Sequence, residues 1–297
     1  MTRESLKSFD EKIISLAVWD DVKNPKGIVQ IAHGMAEHIG RYDEFATNLN
    51  KNGFIVIGDD HRAHGLTDKD GLGKAYGDLF EDTVKDMLFI TDYAKQKYNL
   101  PLVLFGHSYG SFLSQRYISL RNNADGVVLC GSALMKGAAV NLGYFVANGK
   151  VKKGKKDDGA KFLAKVTFES YGKKFDGGNS WLSTDSNEVK KYDEDGLCGF
   201  LCSYGFYQSF FKGLKTINKG SPLSKNINMY IIAGEHDPVG GFGKSVKKLY
   251  NKYKKINEKT TLKLYQNMRH EILNDDSRVQ VTGDVIGFLN TCVLNQN

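Results

Sequence analysis

The sequence from Leu102 to Ser111 reads Leu-Val-Leu-Phe-Gly-His-Ser-Tyr-Gly-Ser. Its first four residues are apolar, which is typical of a short strand that is buried on both faces of a parallel sheet. The residues after Gly-x-Ser-x-Gly have the spacing of a helix with one apolar face. Gly106 and Gly110 leave room for strand and helix to approach each other. A strained turn that exposes the Ser108 hydroxyl is therefore predicted, with a plain strand-to-helix turn as the alternative.

Predicted strands and helices also alternate on both sides of this stretch. Apolar runs predict further strands, and a helical spacing predicts helices over 79–98 and 281–294. Strands that alternate with helices indicate an α/β fold with a mostly parallel, doubly wound sheet flanked by helices. The predicted strands cover residues 13–19, 27–32, 54–58, 102–105, 127–130, 229–234 and 262–265.

The alternation of strands and helices stops after the strand that ends near Cys130. From there to about residue 221 the chain is rich in glycine, lysine and aromatic residues, with no strong strand run. An insertion between two halves of one sheet accounts for this break most simply. We therefore predict a core formed by residues 1–131 and 222–297, with a helical cap over residues 132–221.

The chain of 297 residues has a formal net charge of +7 and pI ≈ 9.0. Its lysines concentrate in two segments, 150–156 and 247–255. We interpret them as a solvated loop and a solvated helix face, and no nucleic-acid partner is predicted because recognition motifs for it are not visible. Weak, transient contact with an anionic membrane surface is the alternative. The sequence leaves the oligomeric state open.

Cysteine usage and the first residues favour a soluble, cytoplasmic protein. No apolar run approaches the roughly 18 to 20 residues that cross a bilayer, and the N-terminus lacks the apolar core of a signal peptide. Of the four cysteines, Cys130 and Cys292 lie in apolar stretches. Cys198 and Cys202 are one helical turn apart, with no further ligand nearby in the sequence. We predict neither a metal nor a cofactor.

A serine hydroxyl needs a base within hydrogen-bond reach and a third group that orients the base. Of the seven histidines, His270 is the best candidate base, because it follows the last predicted strand at the sheet edge where α/β proteins place their sites. Asp237, just past the preceding strand, is the candidate acid. The order Ser108, Asp237, His270 is the one this kind of site uses. Singly, Asp237 before Pro238 is also typical of a turn, and His270 of a surface loop.

A tetrahedral oxyanion needs two preorganised donors. We assign them to the backbone N–H groups of Tyr109, directly after the serine, and of Met35, beyond another strand end. This assignment rests on position, because backbone amides leave no side-chain signature. The other histidines close to strand ends, which we expect to support loops, are His33, His61, His64 and His107.

Several motifs resemble the monoacylglycerol lipase and lysophospholipase branch of the α/β hydrolases, of the serine aminopeptidase type. They read His-Gly-Met-Ala-Glu-His at 33–38, Asp-His-Arg-Ala-His-Gly at 60–65, Gly-His-Ser-Tyr-Gly at 106–110, Gly-Glu-His-Asp-Pro-Val at 234–239 and Arg-His-Glu-Ile-Leu at 269–273. In the predicted cap, Trp-Leu-Ser at 181–183 and Leu-Cys-Gly-Phe at 197–200 also resemble that branch. The resemblance spans nearly the whole chain, from about residue 13 to 294.

The resemblance implies the α/β-hydrolase fold, with the triad and the oxyanion donors at the positions already assigned. It also implies that Glu37 and Arg41 brace the loop above the site, close to the substrate. Three positions depart from the usual pattern, since Tyr109 replaces a methionine, Ser111 a glycine and Ala36 a common glycine. These departures bear on the shape of the pocket, because Tyr109 still offers its backbone N–H.

Together these features predict a serine ester hydrolase. We expect a substrate with one fatty acyl chain, because the insertion could supply an apolar tunnel; the resemblance implies the monoacylglycerol or lysophospholipid type. A helix predicted over about 197–214 would bring Phe200, Phe210 and Phe211 to the substrate. The aromatic residues of the cap that could form an apolar tunnel are Phe145, Phe162, Phe168, Trp181, Phe200, Phe206, Phe210 and Phe211. The alternative is that most of them form the cap's own core.

Three other functions stay open. An aminopeptidase of the same fold would need an acidic patch for the substrate's free amine, and none is visible in the lysine-rich cap. A small-ester carboxylesterase would keep the triad but prefer short acyl groups. A non-catalytic ligand-binding protein of the same fold should have lost a triad member, whereas all three are present here.

Overall fold

The computed structural model describes residues 1–121, 123–219 and 227–294. In this part, the chain folds around one sheet of eight strands in the order β1-β2-β4-β3-β5-β6-β7-β8. The strands are β1 (Thr2–Lys7), β2 (Ile13–Trp19), β3 (Gly27–Ala32), β4 (Phe54–Asp59), β5 (Leu102–His107), β6 (Gly126–Cys130), β7 (Asn228–Gly234) and β8 (Thr260–Tyr265). From β4 to β8 along the sheet, neighbouring strands run parallel. The predicted mostly parallel α/β fold is thereby confirmed.

Helices cover both faces of the sheet, and further helices lie between β6 and β7 along the chain. They are α1 (Asp43–Lys51), α2 (Leu79–Tyr98), α3 (Tyr109–Leu120), α4 (Ala138–Lys152), α5 (Lys161–Ala164), α6 (Ser170–Gly172), α7 (Ser186–Glu194), α8 (Tyr204–Lys219), α9 (Lys244–Lys254) and α10 (Arg278–Leu294). A π-helical turn (Lys165–Glu169) joins α5 to α6, and 3₁₀ turns lie at Ile39–Tyr42, Lys69–Gly71 and Ile272–Asn274.

The central strands are buried on both faces, so their sequences need no polar alternation. Successive side chains of β5 point to opposite faces. Leu102 and Leu104 join the core beneath α2, α3 and α9, whereas Val103 and Phe105 join the core beneath α1 and α10. Burial on both sides thus explains the uninterrupted apolar run from which the fold was predicted.

The first strand, β1, was not predicted from the sequence. It pairs antiparallel with β2 at one edge of the sheet, and β2 pairs antiparallel with β4. Five of the six residues of β1 are polar or charged, and most of its side chains are exposed. Charged side chains are common on edge strands because they discourage pairing with other chains. A strand of this kind lacks the apolar run that marked the others.

Helices α4 to α8 all lie between β6 and β7 along the chain. We call this segment the cap. Helix α8 packs against α4 and also contacts α2 and α3 of the core. The close approach depends on glycine, because a Cβ at Gly143 would overlap the Phe211 ring and one at Gly213 would overlap the Phe80 ring. The predicted boundaries at 132 and 221 stay a prediction, and residue 221 lies outside the described residues.

The helix predicted over 197–214 is wrong in its first half, because α8 begins only at Tyr204. Residues 197–203 bond to other segments instead of to one another. The N–H of Gly199 donates to the carbonyl of Ala36 at 2.9 Å, and the N–H of Ser203 donates to that of Gly73 at 2.8 Å. A left-handed φ of +65° at Gly199 also interrupts helical geometry. The apolar spacing of residues 197–214 therefore does not mark one continuous helix.

Within the described ranges, no helix combines the length and the apolarity that crossing a bilayer requires.

Candidate active site

Ser108 lies at the turn between β5 and α3, with φ at +49° and ψ at −115°. A residue with a Cβ rarely adopts a positive φ, so this turn is strained. The turn depends on two glycines: a Cβ at Gly106 would overlap the Ser114 side chain, and one at Gly110 would overlap the carbonyl of Ala32. Strand, strained turn and helix therefore have the arrangement that Gly-x-Ser-x-Gly predicted.

His270 and Asp237 lie beside Ser108, although both are far from it in the sequence. The Nε2 atom of His270 is 2.8 Å from the Oγ atom of Ser108, and its Nδ1 atom is 3.0 Å from Oδ1 of Asp237. Asp237 is fully buried, and its Oδ1 atom also accepts the N–H of Val239 at 2.8 Å. The structure thus brings together the three residues that the sequence singled out, with His270 between the other two.

The charge of Asp237 controls the basicity of His270. Burial lowers the pKa of His270, but the Asp237 carboxylate outweighs burial, so that the pKa is raised above its ordinary value of 6.5. Glu271 and Glu37 act in the same direction. The ring of His107 lies 4.8 Å from that of His270, and burial and His270 together lower the pKa of His107 to about 4. Near neutral pH, His107 is therefore uncharged and His270 is the imidazole that can accept a proton.

The two backbone amides assigned to an oxyanion hole border the same site. Tyr109 is the first residue of α3, and Met35 lies in the turn after β3, on the wall of the cavity that adjoins Ser108. Within the described residues, neither N–H donates a hydrogen bond to another protein group. Two uncommitted donors beside a serine hydroxyl match the needs of a developing oxyanion.

Three buried histidines, His33, His61 and His64, hold the turn that contains Met35. The Nδ1–H of His33 donates to the carbonyl of Gly34 at 2.8 Å, and its Nε2 accepts the N–H of His61 at 3.0 Å. The Nε2 of His64 accepts the N–H of Ala36 at 3.2 Å. Burial lowers the pKa of His33 and lowers that of His64 to about 3. Both imidazoles therefore stay neutral, and their contacts are those of loop supports.

Glu37 and Arg41 form a buried network that reaches the residue after His270. One nitrogen of Arg41 donates to Glu37 at 2.6 Å, and the guanidinium binds both carboxylate oxygens of Glu271 at 2.7 Å. Burial alone would raise the pKa of Glu271, but Arg41 lowers it to about 2. The network links the turn after β3 to the loop that carries His270. Arg41 itself does not line the cavity at Ser108, so its contact with substrate stays a prediction.

A cavity of about 180 Å³ adjoins Ser108 and His270. Gly34 to Glu37 and Glu271 form its core side, and the cap forms the other side. Most of the large side chains on its wall are apolar or aromatic and come from the cap: Phe168, Trp181, Leu182, Tyr192, Phe200, Leu201 and Tyr207. The cavity therefore has a polar end at Ser108 and His270 and is covered by mostly apolar side chains of the cap.

Only three of the eight aromatic residues expected in a tunnel, Phe168, Trp181 and Phe200, line this cavity. The proposed substrate contacts Phe210 and Phe211 do not, because the Phe210 ring packs on Tyr109 and Phe112 of α3, and the Phe211 ring packs on Gly143 of α4. Phe206 is buried in the core beneath the cap. Phe145 and Phe162 are 74% and 56% exposed. For these five residues the tunnel prediction is wrong.

A sequence profile of the serine aminopeptidase S33 family matches residues 23–277. The chain belongs to this family. It is 26% identical to the monoglyceride lipase homolog of monkeypox virus over all of this chain and 99% of the viral protein. Human monoglyceride lipase is 30% identical over 110 residues, which is 37% of this chain and 35% of that enzyme. The resemblance stated from the motifs is thereby confirmed.

Solved structures agree with this membership. A thermostable carboxyl esterase from Bacillus coagulans, in complex with glycerol, superimposes with a TM-score of 0.91 at 26% identity over 98% of both chains. A soluble variant of monoglyceride lipase from Saccharomyces cerevisiae gives a TM-score of 0.75 at 19% identity, over 98% of this chain and 95% of that one. The second likeness concerns the fold alone. The α/β-hydrolase fold predicted from the sequence is confirmed.

Three residues of this S33 protein depart from the family's usual motifs, and all three are buried: Tyr109, Ser111 and Ala36. The Tyr109 ring packs between His64 and Phe210 and does not line the cavity. The Ser111 hydroxyl donates to the carbonyl of Ser108 at 2.6 Å. Ala36 has a φ of +57°, a conformation that glycine adopts without strain. Tyr109 and Ser111 therefore change what lies behind the site, whereas Ala36 belongs to the cavity wall itself.

One cluster in this S33 protein was not predicted from the sequence, because His38 is far from Asp195 and Cys198 in the chain. The three residues place potential metal-ligand atoms within 4.8 Å of one another. Nε2 of His38 is 2.8 Å from Oδ2 of Asp195, and Nδ1 accepts the N–H of Gly40 at 3.2 Å. Both ring nitrogens already have partners, and the pair joins the cap to the turn after β3.

Proposed function

We propose that this chain is a serine hydrolase that cleaves monoacyl lipid esters, with Ser108 as nucleophile, His270 as general base and Asp237 as its orienting acid. The observation that carries the proposal is the 2.8 Å contact of His270 Nε2 with Ser108 Oγ at a strained turn. The uncommitted N–H groups of Met35 and Tyr109 support it, because they supply the donors that acyl transfer needs.

The proposed reaction has two halves. His270 takes the proton of Ser108 as its Oγ attacks the acyl carbonyl, and the two amides stabilise the oxyanion. Collapse of this intermediate releases the alcohol, which receives the proton from His270. Water then attacks the acyl-enzyme with His270 again as base, and the charge of Asp237 stabilises each imidazolium. No step requires a cofactor.

A monoacyl lipid is favoured by the walls of the cavity and by the relatives. The cap contributes Phe168, Trp181 and Phe200 to a cavity whose catalytic end is polar. Relatives named monoglyceride lipase share this chain's family. We extend that substrate class to this chain and propose one acyl chain against the cap, with the carbonyl carbon at Ser108.

The test is kcat/KM for p-nitrophenyl esters of increasing acyl length, measured below their micelle concentrations. Each methylene buried against the cap contributes up to about 0.8 kcal/mol, so kcat/KM should rise steeply with length and then level off where the cavity ends. Phe200→Ala should flatten the rise. Phe162→Ala is the matched control, because it removes the same side chain from an exposed cap position. A maximum at acetate or butyrate would instead indicate a small-ester carboxylesterase.

The aminopeptidase alternative needs a carboxylate that is free to bind an amine. Glu37 and Glu271 line the cavity, but Arg41 donates to both of them. Glu169, from the cap, is the third acidic residue among the described residues that line the cavity. Hydrolysis of an aminoacyl anilide at a rate comparable with the best ester would favour the peptidase. A non-catalytic role is disfavoured, since all three triad residues are present and in contact.

We also propose that the cap makes transient contact with anionic membrane surfaces, from a cytoplasmic location. Four large apolar side chains in the helical parts of the cap are exposed, as two closely spaced pairs: Leu142 with Phe145 on α4, and Phe162 on α5 with Val166 in the π-helical turn. Lysines 150, 152, 153, 155 and 156 follow the first pair along the chain. Apolar side chains that enter the headgroup region, beside cations that attract acidic lipids, are the usual elements of reversible membrane contact.

This contact predicts cosedimentation with vesicles that contain phosphatidylserine, and less with phosphatidylcholine alone. Replacing Leu142 and Phe145 by serine should lower the partition coefficient at least tenfold, because each large apolar side chain contributes about 1.5–3 kcal/mol when fully buried. Val279→Ser is the control, since Val279 is 82% exposed but lies on α10 of the core. Equal sedimentation of both variants would refute the proposal.

A further inference from the structure

We infer that the cap helps to position the oxyanion hole, through a hydrogen bond from the Tyr192 hydroxyl to the carbonyl of Ala36. The inference rests on the proposed function, since it assigns a role in acyl transfer. Tyr192 lies in the last turn of α7, in the cap, and Ala36 follows Met35, whose N–H is an assigned oxyanion donor. Tyr192 is therefore a positioning residue that acts through the turn.

The turn at Ala36 needs support from outside itself. Ala36 has a φ of +57°, in the left-handed region where a Cβ crowds the following carbonyl. It is also buried, so its N–H and carbonyl must find partners within the protein. A strained residue of this kind keeps its conformation only where the surroundings hold it.

Three successive peptide groups of the turn are held from different sides. The Gly34 carbonyl, in the peptide that carries the Met35 N–H, accepts from Nδ1–H of His33 at 2.8 Å. The Ala36 N–H donates to His64 at 3.2 Å. The Ala36 carbonyl accepts both the Tyr192 hydroxyl and the Gly199 N–H, each at 2.9 Å. The first two partners belong to the core, and the last two belong to the cap.

Peptide groups are planar, so a turn is defined by the orientation of each plane. If the plane after Ala36 rotates, the strained φ of Ala36 relaxes and the plane that bears the Met35 N–H turns with it. The two donors from the cap therefore help to keep this N–H directed towards the cavity at Ser108. In this way the position of the cap is linked to the strength of the oxyanion hole.

Tyr192 is well suited to hold the turn. Its ring lies beneath the Arg41 guanidinium, at 4.9 Å from the ring centroid, and Arg41 in turn binds Glu271 beside His270. The hydroxyl donates its one proton to Ala36, so it has none left to donate to a substrate. Burial raises the pKa of Tyr192, which keeps this hydroxyl a donor throughout the working pH range.

Tyr192→Phe tests the inference, because it removes only the hydroxyl and leaves the ring against Arg41. We expect kcat to fall about three- to tenfold, in line with the net contribution of one buried hydrogen bond, with KM for a p-nitrophenyl ester nearly unchanged. Tyr204→Phe is the matched control. Tyr204 is also a buried cap tyrosine, but its ring lies near Lys150, and it should retain wild-type kcat.

A trifluoromethyl ketone supplies the second readout. It adds the Ser108 oxygen to its carbonyl and forms a hemiketal oxyanion, so its affinity reports on the oxyanion hole. For Tyr192→Phe, the inhibition constant should rise by the same factor by which kcat/KM falls. A purely structural role for Tyr192 would not produce this match, because it would alter KM or melting temperature instead.

Two results would overturn the inference. One is an unchanged kcat with an unchanged inhibition constant, and the other is a rise in KM alone. Failure of the proposed function is separable from both, since it would show as a wild-type protein that hydrolyses no ester and takes no label at Ser108. If the wild type is active and Tyr192→Phe behaves as Tyr204→Phe does, the inference alone is wrong.

Discussion

Ser108→Ala is expected to lower kcat for ester hydrolysis by on the order of 10⁶-fold, the loss that follows removal of a triad serine. The alanine removes the oxygen that lies 2.8 Å from His270 Nε2, just before α3 begins. Because no acyl-enzyme can form, only the residual acceleration of about 10³–10⁴-fold over water from the oxyanion donors and substrate binding remains. Initial rates with the best p-nitrophenyl ester and labelling by a fluorophosphonate measure the effect.

The fold should tolerate this change. Alanine keeps a Cβ at the strained φ of +49°, so the strain is the same and the melting temperature should stay within a few degrees. Ser119→Ala is the matched control on the same helix, since its hydroxyl donates to the backbone of Arg116. A Ser108→Ala protein that keeps more than about a thousandth of wild-type activity would show that another residue is the nucleophile.

The proposed triad could be found from the sequence because each member follows its own strand of the sheet. β5, β7 and β8 are adjacent or nearly adjacent in the sheet, and parallel strands end at one edge. Local patterns therefore place Ser108, Asp237 and His270 together without any knowledge of side-chain packing. The same reasoning explains why α2 was predicted over its full range, since a long amphipathic helix on a sheet has a regular apolar spacing.

The cap was harder to predict, because its contacts join segments that are distant in the sequence. Periodicity shows that Phe200, Phe210 and Phe211 are apolar and spaced for burial, but it does not show against what. In the structure, Phe200 faces the cavity, while the other two pack on α3 and α4. The bonds of residues 197–203 to the core likewise have no signal in their own sequence.

The turn at Ala36 illustrates the same limit within the site. The motif at 33–38 identified Met35 as a donor from its position alone, yet the partners of the turn are His64, Tyr192 and Gly199. None of these is a neighbour in sequence, and a backbone carbonyl carries no residue-specific signature. Sequence reasoning therefore proposed the donor but not the groups that would orient it.

Asp237→Asn is the second change with a large expected effect, a loss in kcat on the order of 10⁴-fold. The neutral amide cannot stabilise the imidazolium that forms when His270 takes the proton from Ser108. In the native protein, Oδ1 of Asp237 is 3.0 Å from Nδ1 of His270. If the asparagine NH₂ faces Nδ1 instead, it donates a hydrogen bond to Nδ1, and the imidazole is held in the tautomer whose Nε2 carries the hydrogen and cannot accept the proton of Ser108. Both effects act on the transition state, so kcat should fall much more than KM rises.

The pH profile tests the same assignment independently. His270 acts as base only when neutral, so kcat/KM must fall as the pH drops through its pKa. Because Asp237 raises that pKa above 6.5, the acidic limb of the wild-type profile should lie above pH 6.5. Asp237→Asn removes the raising charge and leaves the burial that lowers the pKa. The limb of this variant should therefore shift to lower pH, while its plateau falls.

Glu235→Gln is the matched control for this prediction. Glu235 lies two residues before Asp237 on the same loop, but its side chain is exposed, whereas that of Asp237 is fully buried. The control should keep the wild-type plateau and the wild-type limb, because an exposed carboxylate is screened by solvent. If Glu235→Gln lost the activity and Asp237→Asn kept it, the orienting acid would be Glu235 and the loop would have to rearrange around His270.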